Sequence, residues 1–254
     1  MNAFLKFISV SCLLASCSGK QSIKYLTDLE QANIKGRVTK LVTEIYKVDS
    51  LGQVGELESV TIEIFNKLGY TSTDTIKDFT EKNEVVEFLL YNKNGSLSSS
   101  STFENGKMQS KMLLKYDDSK CIAIEIYDSN NQLESHYGNI QQTDFGLLLS
   151  MNGYDTNGKL TMSYTNDYDG IYQISATAKD SIGMLSSEVK ILLTDKKYPE
   201  NMLEVTYFKD STVKNYLSYK YESWDITGNW IRQTVLNDKG KAIKFVKRIF
   251  SYER

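Results

Sequence analysis

The chain has 254 residues, 30 basic and 32 acidic side chains, a net charge of -2 and one histidine. That balance leaves no electrostatic footprint for nucleic acid. One histidine and three cysteines exclude most zinc centres and weaken any nucleophile–histidine pairing.

The first residues read as an export signal. Lys6 gives a basic start, residues 7–14 are apolar, and Leu14-Ala15-Ser16-Cys17 follows. The run is too short to span a bilayer. Leu-Ala-Ser-Cys resembles the lipobox of bacterial lipoproteins, which implies cleavage before Cys17 and diacylglycerol on its sulfur. The alternative is an ordinary secretory signal with an incidental cysteine. Ser18 stands where an inner-membrane retention Asp would sit, so the resemblance implies the outer membrane, facing the periplasm or the cell exterior. The expected division is a signal at 1–16, an anchored tether with a short helix at 17–35, and a β-hairpin domain at 36–254. Cys12 leaves with the signal, so Cys121 would be alone in the mature chain, as small core filler.

Thr27-Asp28-Leu29-Glu30 has capping-box spacing and predicts a short helix near 25–33. From Gly36 on the period is two. Val60, Ile62 and Ile64 alternate with polar residues, as do Ile122, Ile124 and Ile126, then Leu203, Val205 and Tyr207, then Leu217, Tyr219 and Tyr221. Alternation of this kind predicts antiparallel strands with one buried and one wet face.

A turn signal punctuates these strands: an apolar or aromatic residue, Asp or Asn, two variable residues and Gly. It appears at Asn66–Gly69, Asn92–Gly95, Asp155–Gly158, Asp225–Gly228 and Asn237–Gly240, with looser copies at Asp49–Gly52, Asp128–Asn131 and Asp180–Gly183. Asp or Asn binds backbone N–H groups further along the loop, and Gly takes the left-handed conformation that closes a bulged hairpin. None of the copies has the ligand run of a calcium loop. Weaker punctuation sits at Asn105-Gly106, Asp117-Asp118, Asp169-Gly170 and Lys209-Asp210. The spacing, near multiples of about twelve to thirteen, is one strand plus one turn. The predicted fold is all-β: an antiparallel meander of hairpins forming a long twisted sheet or an open barrel, with one short N-terminal helix.

Tyr91-Asn92-Lys93-Asn94-Gly95 and Tyr154-Asp155-Thr156-Asn157-Gly158 resemble the tyrosine–aspartate repeats of Rhs-type proteins. The stretch from Tyr219 to Arg232, with Tyr219, Tyr221, Asp225, Gly228, Asn229 and Trp230, is similar to a repeat of Bacteroidota lipoproteins. The segment from Ile34 to Val42 is similar to the opening strand of those proteins. Tyr91–Leu97 and Phe103–Met108 also resemble variant MORN repeats. These resemblances imply a hairpin ladder and no cofactor. The chain has neither the length nor the toxin domain of Rhs proteins proper.

The chain has no nucleophile elbow, no His-Glu-x-x-His and no phosphate-cradling loop. His136 reads as a surface or partly buried side chain. Tyr219, Tyr221, Trp224 and Trp230 form the best local aromatic cluster and the candidate binding surface, because Tyr and Trp stack on sugars or partner surfaces. The expected function is non-enzymatic: a lipid-anchored envelope module, held to the membrane through Cys17, that binds a protein or a glycan. It needs no metal and no nucleic acid. The alternatives are an envelope glycan hydrolase with paired carboxylates, and a lipid or lipoprotein carrier with an apolar groove.

Overall fold

The computed structural model describes residues 25–118, 120–208 and 211–253. The signal, Cys12, Cys17 and the tether through residue 24 lie outside the described residues, as does the Lys209-Asp210 turn. A four-residue helix, α1 (Asp28–Gln31), precedes the strands. Strands β1 (Val38–Val48), β2 (Val54–Phe65), β3 (Thr71–Asp78), β4 (Asn83–Tyr91), β5 (Leu97–Glu104) and β6 (Lys107–Asp117) follow. Next come β7 (Lys120–Asp128), β8 (Leu133–Gln142), β9 (Leu148–Asp155), β10 (Leu160–Asp169) and β11 (Tyr172–Asp180). The last five are β12 (Leu185–Leu193), β13 (Pro199–Phe208), β14 (Ser211–Trp224), β15 (Trp230–Leu236) and β16 (Ala242–Tyr252).

Each strand pairs antiparallel with the next, and β1 pairs with β16 from Val38 opposite Tyr252 to Lys47 opposite Lys244. The meander therefore closes into a barrel, where the sequence pattern left a twisted sheet or an open barrel as the choices. Closure removes both sheet edges, so no unpaired ladder remains for another chain to join. Nothing in the alternation within β1 or β16 shows that these two strands, at opposite ends of the chain, pair with each other.

Most of the turns behave as their chemistry predicts; at Asn92–Gly95 it is Asn94 Oδ1, not Asn92 Oδ1, that accepts from Ser96 N at 3.1 Å. Asp155 Oδ1 accepts from Asn157 N and Lys159 N at 2.9 Å each, and Asp49, Asn66, Asp128, Asp180, Asp225 and Asn237 repeat the pattern. Two further copies escape the Asp/Asn rule. Thr143 Oγ1 accepts from Phe145 N and Leu147 N, and Thr194 Oγ1 accepts from Tyr198 N. A threonine oxygen does the work of the carboxylate there.

One expectation about faces reverses. Glu63 stands opposite Leu41, which is fully buried, so Glu63 points inward and Ile62 and Ile64 point outward. Ile64 is 44% exposed. Polar residues thus occupy inward positions, Asp74 and Glu87 beside Glu63 among them, and apolar ones stand on the outer face. A register shift after Lys115 likewise turns Ile122 out and Cys121 in.

The segment from Tyr25 to Arg37 crosses one end of the barrel as a cap. Thr27 and Glu30 form the predicted capping box, although the helix is shorter than the 25–33 interval. Leu29 N donates to Gly69 O, Asn33 Nδ2 to Lys196 O at 2.7 Å, and Lys35 N to Asn229 Oδ1 at 2.7 Å. The cap is thus tied to the β2–β3, β12–β13 and β14–β15 turns. Leu29 and Ile34 pack with Leu41 and Phe65 beneath it, and a larger apolar cluster around Leu97, Ile124 and Leu148 lines the opposite wall.

Candidate binding site under the N-terminal cap

The aromatic residues predicted as a cluster do meet. Two register shifts near the end of β14, between Tyr221 and Trp224, swing Trp224 and Trp230 toward Tyr221. Ring centroids lie 5.9 Å apart for Tyr221 and Trp224 and 5.5 Å for Tyr221 and Trp230. Tyr198, from the threonine-capped β12–β13 turn, joins them at 5.3 Å from Trp224 and 5.6 Å from Tyr221. Two hydroxyls lock the cluster: Tyr221 Oη donates to Pro199 O at 2.8 Å, and Tyr198 Oη to Asn33 O at 3.1 Å. The second bond fastens the cap to the cluster.

A partly open cavity of about 380 Å³ lies between this cluster and the cap. Tyr219, Tyr221 and Trp230 line it, with Gln233, Lys197 and Arg248. Trp224 lies behind the wall, under the Lys196 ammonium at 4.4 Å. Arg248 comes from β16, its guanidinium carbon 3.8 Å from the centre of the Trp230 ring. Burial pulls its pKa down to about 10, so it stays cationic at neutral pH. Burial also raises the Tyr219 phenol to about 12. The tyrosines here are neutral donors and ring surfaces.

The stretch of wall on the other side of β1 is acidic. Glu63 on β2 stands opposite Asp74 on β3, and Asp74 opposite Glu87 on β4. Side chains so paired have Cβ atoms about 5 Å apart. Burial, then the negative charges of Glu63 and Glu87, push Asp74 up to about 7. Burial raises Glu63 and Glu87 as well. Asp28 of the cap completes the group. It accepts from Thr71 N at 2.6 Å and from Tyr91 Oη at 3.0 Å, yet burial outweighs these bonds and raises its pKa. Among the described residues, no group of three His, Cys, Asp or Glu side chains is arranged to hold a metal ion.

Sequence reasoning missed Arg248, Tyr198 and the Glu63–Asp74–Glu87 row. Arg248 and Tyr198 reach the site from distant strands, and the three acids looked like the wet face of their strands. His136 stacks on Tyr154 on the outer wall at 5.1 Å. Cys121 is buried in the wall cluster, with its thiol raised to about 12 by burial, so it is a poor nucleophile.

No protein-family model matches the chain, and no curated protein matches it in sequence. Solved structures do match in shape. A porin-like protein from Bacteroides uniformis superposes with a TM-score of 0.57 at 10% identity, covering 91% of this chain and 100% of that one. A porin-like protein from Bacteroides vulgatus gives a TM-score of 0.30 at 11% identity, covering 85% and 99%. The Photorhabdus luminescens Tc holotoxin pore gives 0.30 at 15% identity, covering 80% of this chain and 11% of that one. At these identities the first match speaks for the fold, and the other two carry no argument.

Proposed function

We propose that the protein is a non-enzymatic, lipid-anchored envelope protein that binds a glycan fragment in the cavity under its cap. The observation that carries this reading is the convergence of Tyr219, Tyr221 and Trp230 on a half-enclosed space of about 380 Å³. That is room for a sugar-sized body against fixed ring faces. Charged pairs on the outer wall support a wet exterior. Lys247 meets Glu44 at 3.0 Å and Lys190 meets Glu188 at 3.0 Å, in the middle of their strands. A lipid-facing barrel wall pays about 2–4 kcal/mol for a midplane lysine. Anchoring through Cys17 at the outer membrane follows from the lipobox resemblance.

The test is a titration of the purified full chain with disaccharide-sized glycan fragments, followed by tryptophan fluorescence. Binding should shift the emission and leave the fragment uncleaved. Trp230→Phe should lose most of the signal. No response to any fragment, with an intact fold, rejects the reading.

A second reading, hydrolysis by paired carboxylates, draws on the acidic row. Asp74 keeps its proton near neutral pH beside Glu63 and Glu87, as a general acid would. Cleavage of a glycan that is lost in Asp74→Asn would favour it.

A further inference from the structure

We propose that the cavity under the cap is a carboxylate site, in which Arg248 holds the acid group of a ring-bearing ligand. The proposal deepens the reading of this cavity as the ligand site and rests on it. Arg248 is the starting point. A guanidinium carries N–H donors around the edge of its plane. Trp230 covers one face of that plane at 3.8 Å, which leaves the edge unserved. Arg248 Nε is buried without a hydrogen-bond partner. Among the described residues, the guanidinium makes no ion pair within 4.0 Å. Glu63 acts on it only through its field. Nε is the donor removed from water, on a half-buried side chain that opens into the cavity; such a donor calls for an acceptor, and a planar two-oxygen acid fits the fork edge-on.

The rest of the lining agrees. Among the described residues its charged members are Lys197 and Arg248, with no Asp or Glu. The lumenal acids gather on β2, β3 and β4, beyond β1 and outside this lining, and only the charge of Glu63 reaches Arg248. Lys197 is itself paired with Asp169 at the rim, so Arg248 is the cation left for a guest. Tyr221 is fixed by its bond to Pro199 O, and Gln233, opposite it on β15, sets a polar edge beside the rings. A flat or ring-shaped body carrying one carboxylate matches this wall. An acidic sugar and a non-sugar cyclic acid share that chemistry.

The test uses the full chain in detergent and three probes: methyl glucuronide, methyl glucoside and cyclohexanecarboxylate. Calorimetry gives the affinity, and Trp230 emission reports the site. The glucuronide should bind at least tenfold tighter than the glucoside. Arg248→Gln should erase that preference, and Arg248→Lys should keep part of it. Equal affinity for glucuronide and glucoside in the unaltered protein overturns the carboxylate site and leaves the glycan reading standing. The same holds if glucuronide affinity is unchanged in a folded Arg248→Gln. Arg248-dependent binding of cyclohexanecarboxylate without binding of either glycoside keeps the carboxylate site and rejects the glycan. No binding of any probe rejects both. The preference in the unaltered protein decides the matter even where the variant fails to fold.

Discussion

The two sides of the lumen solve burial of charge in opposite ways. On β2, β3 and β4, three carboxylates stand side by side with their pKa values raised, and Asp74, pushed up to about 7, lowers the cost by taking up a proton. On β14, β15 and β16, one guanidinium cannot discard its charge and is sheltered by an aromatic face instead. The acids relax by titration, and the arginine has no such exit. Each side keeps a buried polar atom without a partner, Asp74 Oδ1 and Arg248 Nε, but the acidic side can shed charge by taking up a proton, whereas the basic side keeps both its charge and an unserved donor. A ligand is therefore expected at the arginine.

Arg248→Glu should break this arrangement most severely. It removes the cation nearest Glu63 and adds a carboxylate to an acidic lumen. A loss of about 2–4 kcal/mol is expected, read as a drop in the urea midpoint with an unchanged slope. A loss below about 1 kcal/mol would mean that lumenal water isolates the two sides. Asn229→Ala comes next. Its amide accepts from Lys35 N at 2.7 Å and donates to Lys35 O and Tyr252 Oη at 2.9 Å each. Asn229 is 2% exposed, and its removal strands these groups. The expected loss is about 2–3 kcal/mol, together with faster amide exchange in the cap at residues 33–37.

Asp74→Asn sharpens the acidic half of the comparison. The folded pKa is raised to about 7 from an unfolded value near 4, so the native state holds the extra proton between those limits. The stabilisation is full below about pH 4 and is lost as pH rises through about 7. Glu63 and Glu87 face Asp74 and titrate with it. Asp74→Asn should therefore flatten the decline in stability between pH 5 and pH 8. It should be more stable than the parent at pH 8 by about 2 kcal/mol, because part of the cost is screened by lumenal water. Parallel urea curves at the two pH values check the sign.

What could be read in the sequence follows the range of the interactions. The Asp/Asn-x-x-Gly turns were legible because the cap and the left-handed glycine sit three residues apart. The capping box at Thr27 and Glu30 was legible for the same reason. Tyr219 and Tyr221 share a face because they are two apart on one strand, and Trp224 and Trp230 flank one turn, so that cluster was legible too. Closure of β1 onto β16 was not, since each strand's alternation is blind to its partner. The inward direction of Glu63 was misread because Ile62 and Ile64 look like core, a rule that weakens where the interior is itself wet. Tyr198 was hidden by a turn that uses Thr194 in place of Asp.

That turn also supplies the finest test of the comparison. On the acidic side, the Asn66 turn ends in Gly69, with φ +90°. On the arginine side, the Thr194 turn ends in Lys197, with φ 62°. A lysine in the left-handed region carries strain of about 1 kcal/mol that glycine avoids. Its exposed pairing with Asp169 returns little of that. Lys197→Gly should stabilise the fold by about 0.5 kcal/mol after the greater chain entropy of glycine is subtracted. Gly69→Ala should do the reverse, by about 1 kcal/mol, and its new Cβ would also sit 3.3 Å from Leu29 and Thr27 of the cap. Thermal unfolding of the two variants should shift in opposite directions. Lys197 lines the cavity but is held by Asp169, so neither variant should weaken binding of an acidic probe as Arg248→Gln does.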